Sequence, residues 1–295
     1  MRNHPPPNVR RTCISLLLSA SIFSSPAFAV DMNPMDWIPA PDGTNALIVY
    51  GPWSHNSKAI IHGTKMDASL NSALVMPRMT HYFEIDGHPA VASALVPMGR
   101  LWNGSIGGAD LGSRTGVGDL TMAFGYWAIS NTKERRQLAI AGYLGVPLGG
   151  YDRDKALNVS SGSWNATLQV GNMFSISDSF TLETTADATF YRKNTDANYL
   201  GQTQKQDNAY SFQNWLSYSI NSATTLSVGH AAYFGGTQYL DGVANGFNSK
   251  KQQAKIGLSY WLTPTLSIYG QVNQDFSVNG GFQGTSGMFR ILKIL

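Results

Sequence analysis

The sequence predicts an all-β protein: a transmembrane antiparallel up-and-down β-barrel of about twelve strands, with short periplasmic turns and long extracellular loops. Three observations lead there. Polarity alternates with a period of two, the alternating runs reach about 10 residues, and the breaks between them alternate short and long. A soluble sandwich also alternates, but its strands average about 5 to 6 residues. Run length therefore favours the membrane.

The first 29 residues read as a cleaved export signal. Arg2, Arg10 and Arg11 precede the apolar run Ile14 to Phe23, and Ala27-Phe28-Ala29 supplies small residues for cleavage. The run falls well short of the roughly 20 residues that span a bilayer as a helix. Removing it takes three basic and no acidic residues, so 21 − 3 leaves 18 Lys+Arg against 18 Asp+Glu, and the mature chain is neutral. That balance argues against nucleic acid as a partner. Cys13 lies inside the signal, which leaves the mature chain without a thiol or disulfide. Charged residues make up 13% of the chain, about half the share usual in a soluble domain. Residues 30–42 read as a periplasmic lead-in, and 43–295 as the barrel.

Strand parity separates an apolar from a polar face. Ala254, Ile256, Leu258, Tyr260 and Leu262 oppose Gln253, Lys255, Gly257, Ser259 and Trp261. Leu266, Ile268, Gly270 and Val272 oppose Ser267, Tyr269, Gln271, Asn273 and Asp275 in the same way. Phe180, Leu182, Ala186, Ala188 and Phe190 oppose Thr181, Glu183, Thr185, Asp187 and Thr189. In a barrel the apolar set faces lipid and the polar set faces the lumen.

Short breaks are expected near 85–88, 130–135, 177–179, 221–224 and 263–264. Long loops are expected near 53–65, 99–115, 149–162, 194–207 and 236–249, where Gly, Asn, Asp and Ser accumulate. Aromatics gather toward both edges: Tyr126, Trp127, Phe174, Tyr218, Tyr260 and Trp261 by the short turns, and Tyr151, Phe190, Tyr191, Tyr210, Phe234 and Phe276 by the long loops. The ten steps from Phe180 to Phe190, tilted near 45°, cover roughly 23 Å, close to the lipid-facing band of such barrels. Two segments fit less cleanly: Val91 to Val96 is short, and Met76-Pro77-Arg78 interrupts the second strand.

The mature chain resembles the family of outer-membrane proteins linked to the meta-pathway of phenol degradation. The resemblance rests on GTN at Gly43 to Asn45, GVGDLTMAFGYWAI at Gly116 to Ile129, LNV at Leu157 to Val159, KQD at Lys205 to Asp207 and FSVNGGF at Phe276 to Phe282. It implies an outer-membrane channel or transporter for small hydrophobic or aromatic solutes. The expected partners are the outer-membrane bilayer and that solute.

About twelve strands enclose only a narrow lumen. By parity its lining includes the charges Asp119, Glu183, Asp187, Lys255, Asp275 and Arg290 and the aromatics Tyr143, Trp215 and Tyr269. These set selectivity, or brace the wall as an ion-pair network and fill space. Two further readings stay open: a barrel enzyme acting on lipid or peptide, and a structural or adhesive barrel. For the first, His55 and His62 lie in a long loop beside Ser54 and Ser57 with no acidic partner, and His230 shares the lipid-facing parity. No catalytic residue, metal ligand or cofactor is expected, and the oligomeric state is left open.

Overall fold

The structure, a computed structural model, describes residues 31–295. The expected signal peptide lies outside the described residues. In chain order the strands are β1 (Asn45–Ile61), β2 (Thr64–Ile85), β3 (His88–Leu95), β4 (Met98–Ile106), β5 (Ala109–Val117), β6 (Leu120–Asn131), β7 (Arg136–Val146), β8 (Asn165–Ser175), β9 (Phe180–Tyr191), β10 (Gln204–Gln206), β11 (Ala209–Ser219), β12 (Thr224–Gly235), β13 (Gln238–Leu240), β14 (Val243–Ala244), β15 (Lys250–Thr263), β16 (Leu266–Asn279) and β17 (Gly281–Ile294).

Neighbouring strands pair antiparallel around the whole ring, and β1 closes it by pairing with both β17 and β2. The result is a closed 12-strand barrel. The β3–β4 and β5–β6 pairs each make one wall strand with a break in it. Closure leaves no open sheet edge in lipid, as the bilayer requires of a β structure. Outward positions carry an apolar belt that includes Leu168, Val170, Leu226, Val228, Ile256, Leu258 and Val272, all exposed on the outer face. β10, β13 and β14 form a small separate sheet in the loops.

The long-loop side differs from expectation in two places. Residues 53–65 are strand almost throughout: β1 runs to Ile61 and turns tightly at His62-Gly63, both with positive φ. Residues 99–115 likewise form the β4–β5 hairpin around Gly107-Gly108, again with both φ positive. Such two-residue turns match the right-handed twist of their flanking strands. The 22 residues of β2, tilted near 45°, rise about 50 Å, roughly twice the apolar band of such barrels. The hairpins on this arc therefore stand well clear of the membrane.

Pro77 does not interrupt β2. It sits where the strand changes partner, since residues up to Val75 pair with β4 and those from Arg78 onward pair with β3. A ladder donor is dispensable at such a junction. Val96-Pro97 makes the matching break in the partner, and the Val96 N–H donates to the Pro77 carbonyl at 3.3 Å. Among the described residues β5 pairs with β4 alone. Its other edge is covered by the loop after β7, where the Gly150 N–H reaches the Val117 carbonyl at 3.0 Å and Arg114 pairs with Asp152 at 3.2 Å.

Candidate functional site: the lumen and its N-terminal segment

Residues 31–41, expected as a periplasmic lead-in, lie inside the barrel and fill the middle of the lumen. Pro34, Pro39 and Pro41 lower the number of backbone donors that need partners there. Two turns compact the segment, with Asp36 N–H donating to the Asn33 carbonyl and Ile38 N–H to the Met35 carbonyl, each at 3.2 Å. The Asp36 carboxylate also accepts from the Asn33 N–H at 3.1 Å.

Side chains from six wall strands hold it. Glu183 on β9 accepts the Met35 N–H at 2.8 Å and 3.0 Å. Trp37 donates through Nε1 to Thr185 Oγ1 at 2.9 Å, and its carbonyl accepts from Trp127 Nε1 at 2.8 Å. Trp215 on β11 donates to the Met32 carbonyl at 2.9 Å, and Gln213 accepts the Met32 N–H at 3.3 Å. Asp31 accepts from Tyr233 Oη on β12 at 2.8 Å and lies 3.7 Å from Lys255 Nζ on β15. Arg290 on β17 donates to Asp36 Oδ1 at 2.7 Å while its guanidinium lies over the Tyr269 ring, 5.1 Å from the centroid. A buried, hydrogen-bonded ion pair of this kind fixes position more than it adds stability, because desolvation offsets most of the attraction.

Glycines make room for the large rings. A Cβ on Gly171 would stand 1.8 Å from Trp37 Cε2, and one on Gly229 would stand 2.6 Å from the Trp215 ring. Trp37 therefore lies flat against bare backbone of β8.

Eight of the nine residues chosen by parity face the interior. Glu183, Trp215, Lys255 and Arg290 touch the N-terminal segment directly. Asp187 accepts from Ser211 Oγ, Tyr143 donates to Gln169 at 2.9 Å, Tyr269 donates to Gln271 at 2.7 Å, and Asp275 accepts from Gln253 at 2.9 Å, all within the wall. Asp119 is the departure. At the β5–β6 break it accepts from the Ser161 N–H at 2.7 Å, from Ser160 Oγ at 2.6 Å and from the Gly149 N–H at 3.2 Å, so it anchors a loop instead of lining a path. Trp127, assigned to the aromatic edge, points inward: it keeps the parity of Ala123 and Gly125, while Met122 and Phe124 face out, and the bulge in the strand comes only after it. His55 lies on β1 and shares a 2.7 Å hydrogen bond with Asn71.

The lumen has two unlike sides. The inward positions of β8 to β16 are polar: Thr167, Gln169, Thr185, Ser211, Gln213, Ser217, Ser227 and Gln253 are all buried there. The inward positions of β1, β2, β4 and β5 are apolar, and Ile48, Ile61, Leu70, Leu74, Met76, Leu101, Ile106 and Leu111 pack into one cluster. Leu157, Val159 and Phe247 from two long loops close over its outer end. Between the N-terminal segment and this apolar side lies a cavity of about 40 Å³ that touches Asp36, Met76 and Leu95. On the periplasmic side of the segment a larger chamber of about 680 Å³ opens, lined by Trp37, Ile38, Ile48, Tyr50, Tyr82 and Trp127 among others. That volume suits a small organic molecule.

Outside the wall the loops are tied by polar contacts. Asp207 accepts from Tyr239 Oη at 3.0 Å and thereby holds that phenol above its usual value. Asp196 does the same for the Arg153 guanidinium, 2.6 Å away.

A closed antiparallel barrel with an apolar outer belt and a polar, occluded lumen defines a bacterial outer-membrane β-barrel of the channel class. The chain belongs to the family described as "Putative MetA-pathway of phenol degradation", which matches residues 52–291. Among solved structures it is similar to the COG4313 outer membrane channel from Pseudomonas putida F1, at 25% identity and a TM-score of 0.85, covering 90% of this chain and 100% of that one. It shares its fold with the beta domain of the Bordetella autotransporter BrkA at 9% identity and a TM-score of 0.54, covering 84% of this chain and 98% of that one. The translocator domain of the autotransporter NalP from Neisseria meningitidis gives 9% identity and a TM-score of 0.50, covering 86% of this chain and 89% of that one. No functionally curated protein matches the chain.

Proposed function

We propose that this outer-membrane channel carries small hydrophobic or aromatic solutes inward along the apolar side of its lumen, past the N-terminal segment. One observation carries the reading: a continuous apolar face, from Ile61 and Phe247 at the outer end to Ile48 and Tyr50 beside the chamber, inside a lumen that is otherwise polar. A polar inward lining is ordinary for a water-filled pore, so an apolar stripe inside a barrel calls for a different explanation. Contact with it favours an apolar solute by roughly 25 cal/mol per Å² removed from water. Beside the N-terminal segment lies a cavity of only about 40 Å³, and transit in this reading requires the segment to shift.

The test is uptake of radiolabelled phenol or toluene by proteoliposomes carrying the mature barrel, compared with the Leu74→Asn and Leu101→Asn variants. Faster entry than into empty liposomes, reduced by either variant while uptake of a small polar solute is unchanged, supports the reading. Equal entry with and without folded barrel sinks it and leaves the structural or adhesive barrel.

A further inference from the structure

The periplasmic chamber is cationic although the mature chain as a whole is neutral. Three arginines line it, Arg78, Arg135 and Arg290, against one acid, Asp36, so the lining carries 3 − 1 = +2. Asp36 is committed to Arg290 at 2.7 Å. Arg78 donates through Nε to Ser93 Oγ at 3.0 Å, and among the described residues no carboxylate lies within 4.0 Å of it. Arg135 donates to the Asp178 carbonyl and to Thr181, which are neutral acceptors.

A second observation is independent of charge. Three buried polar atoms in the same lining have no hydrogen-bond partner among the described residues: Thr80 Oγ1, Gln137 Oε1 and Arg290 Nε. Thr80 is 3% exposed, Gln137 1% and Arg290 7%. Buried polar groups left unpaired are costly, and each calls for a partner such as an ordered water or a bound ligand. Beside these groups the chamber walls are aromatic and aliphatic, with Trp37, Ile48, Tyr82, Val91 and Trp127.

From this lining we infer that the chamber binds an amphiphile with one carboxylate head and an apolar body, an aromatic or short aliphatic acid, with Arg78 taking the head and Trp37 and Trp127 taking the body. A carboxylate suits a guanidinium that still has free donors, since the two planar forks meet through paired charge-assisted hydrogen bonds. This rests on the proposed apolar route and narrows it: the channel discriminates by headgroup at its inner end. Arg290 holds Asp36 and is a poorer place to test, because changing it also frees the N-terminal segment.

The experiment uses the mature barrel in lipid nanodiscs and two water-soluble probes of the same body, 4-(trifluoromethyl)benzoate and 4-(trifluoromethyl)benzyl alcohol, followed by ¹⁹F NMR line broadening. The acid is expected to bind about tenfold more tightly than the alcohol, the size of one charge-assisted hydrogen bond. Arg78→Gln erases the preference without weakening alcohol binding, and Arg78→Lys keeps part of it. Heat-modifiable migration on gels confirms that each variant is folded, and a variant that fails it is replaced by Ser93→Ala, which unseats Arg78 and reduces the same preference. Equal binding of both probes, or a preference that survives Arg78→Gln, overturns the headgroup assignment while leaving the apolar route standing. Binding of neither probe overturns both.

Discussion

The two sides of the lumen obey opposite rules. On the wall strands β8, β9, β11, β12, β15 and β16 the outward positions are mostly apolar and the inward ones mostly polar, so lipid and lumen are told apart along most of each strand. On β2 large apolar residues occupy both faces: Leu70, Leu74 and Met76 point inward while Val75 and Met79 point outward. The N-terminal segment is gripped mainly from the polar side, and among the described residues the side-chain hydrogen bonds from the wall to it come from β9, β11 and β12 and from the flanking β6 and β17. The apolar side makes no such bond and faces the narrow gap. One side therefore restrains the segment, and the other offers a surface along which something else can pass.

Removing what the polar side holds is the strongest way to break this contrast. Deleting residues 32–41 is expected to raise single-channel conductance several-fold in planar bilayers, with longer open times. An unchanged conductance would mean that the lumen is closed elsewhere. Gly171→Val drives a side chain into the space of Trp37, where even a Cβ would be 1.8 Å away. The expected result is a smaller rise in conductance with a red-shifted tryptophan emission, as Trp37 loses its apolar seat. Leu157→Ala probes the other side. It opens a hole in the outer apolar cluster and is expected to lower stability in urea by about 2 to 4 kcal/mol, with conductance unchanged. The mildest change is Ser161→Ala, which removes one hydroxyl from Asp119. A loss of about 1 kcal/mol is expected, read as faster proteolysis within 149–162 while the barrel stays folded.

The same contrast explains what the sequence makes legible. Where one face is wet, parity identifies the lumen side, and Glu183, Asp187, Lys255, Asp275 and Arg290 can be placed without a structure. The stretches 53–65 and 99–115 are rich in polar residues and glycine and show little alternation, so they look like loops. The Gly107-Gly108 pair is the signal that marks the hidden hairpin there. His62-Gly63 is a weaker signal, since Asn or Asp commonly precedes the glycine in such turns. Asp119 shows a different limit, because parity gives its direction but not the loop that folds back to meet it. The N-terminal segment is the least legible part. It is too short to show a period, and its partners lie 90 to 254 residues away, as with Trp37 and Trp127 or Asp36 and Arg290. Three prolines around one tryptophan are its only mark of a packed stretch.

Among the described residues the segment is joined covalently to the wall through the few residues that lead into Asn45 at the start of β1. Once displaced from the lumen it stays within a short tether of its seat, at an effective concentration in the millimolar range. Return is then a first-order event, independent of how many barrels a membrane holds. A free peptide of the same sequence would need to reach that concentration in the periplasm to compete for the seat, so a displaced segment would return to its own barrel.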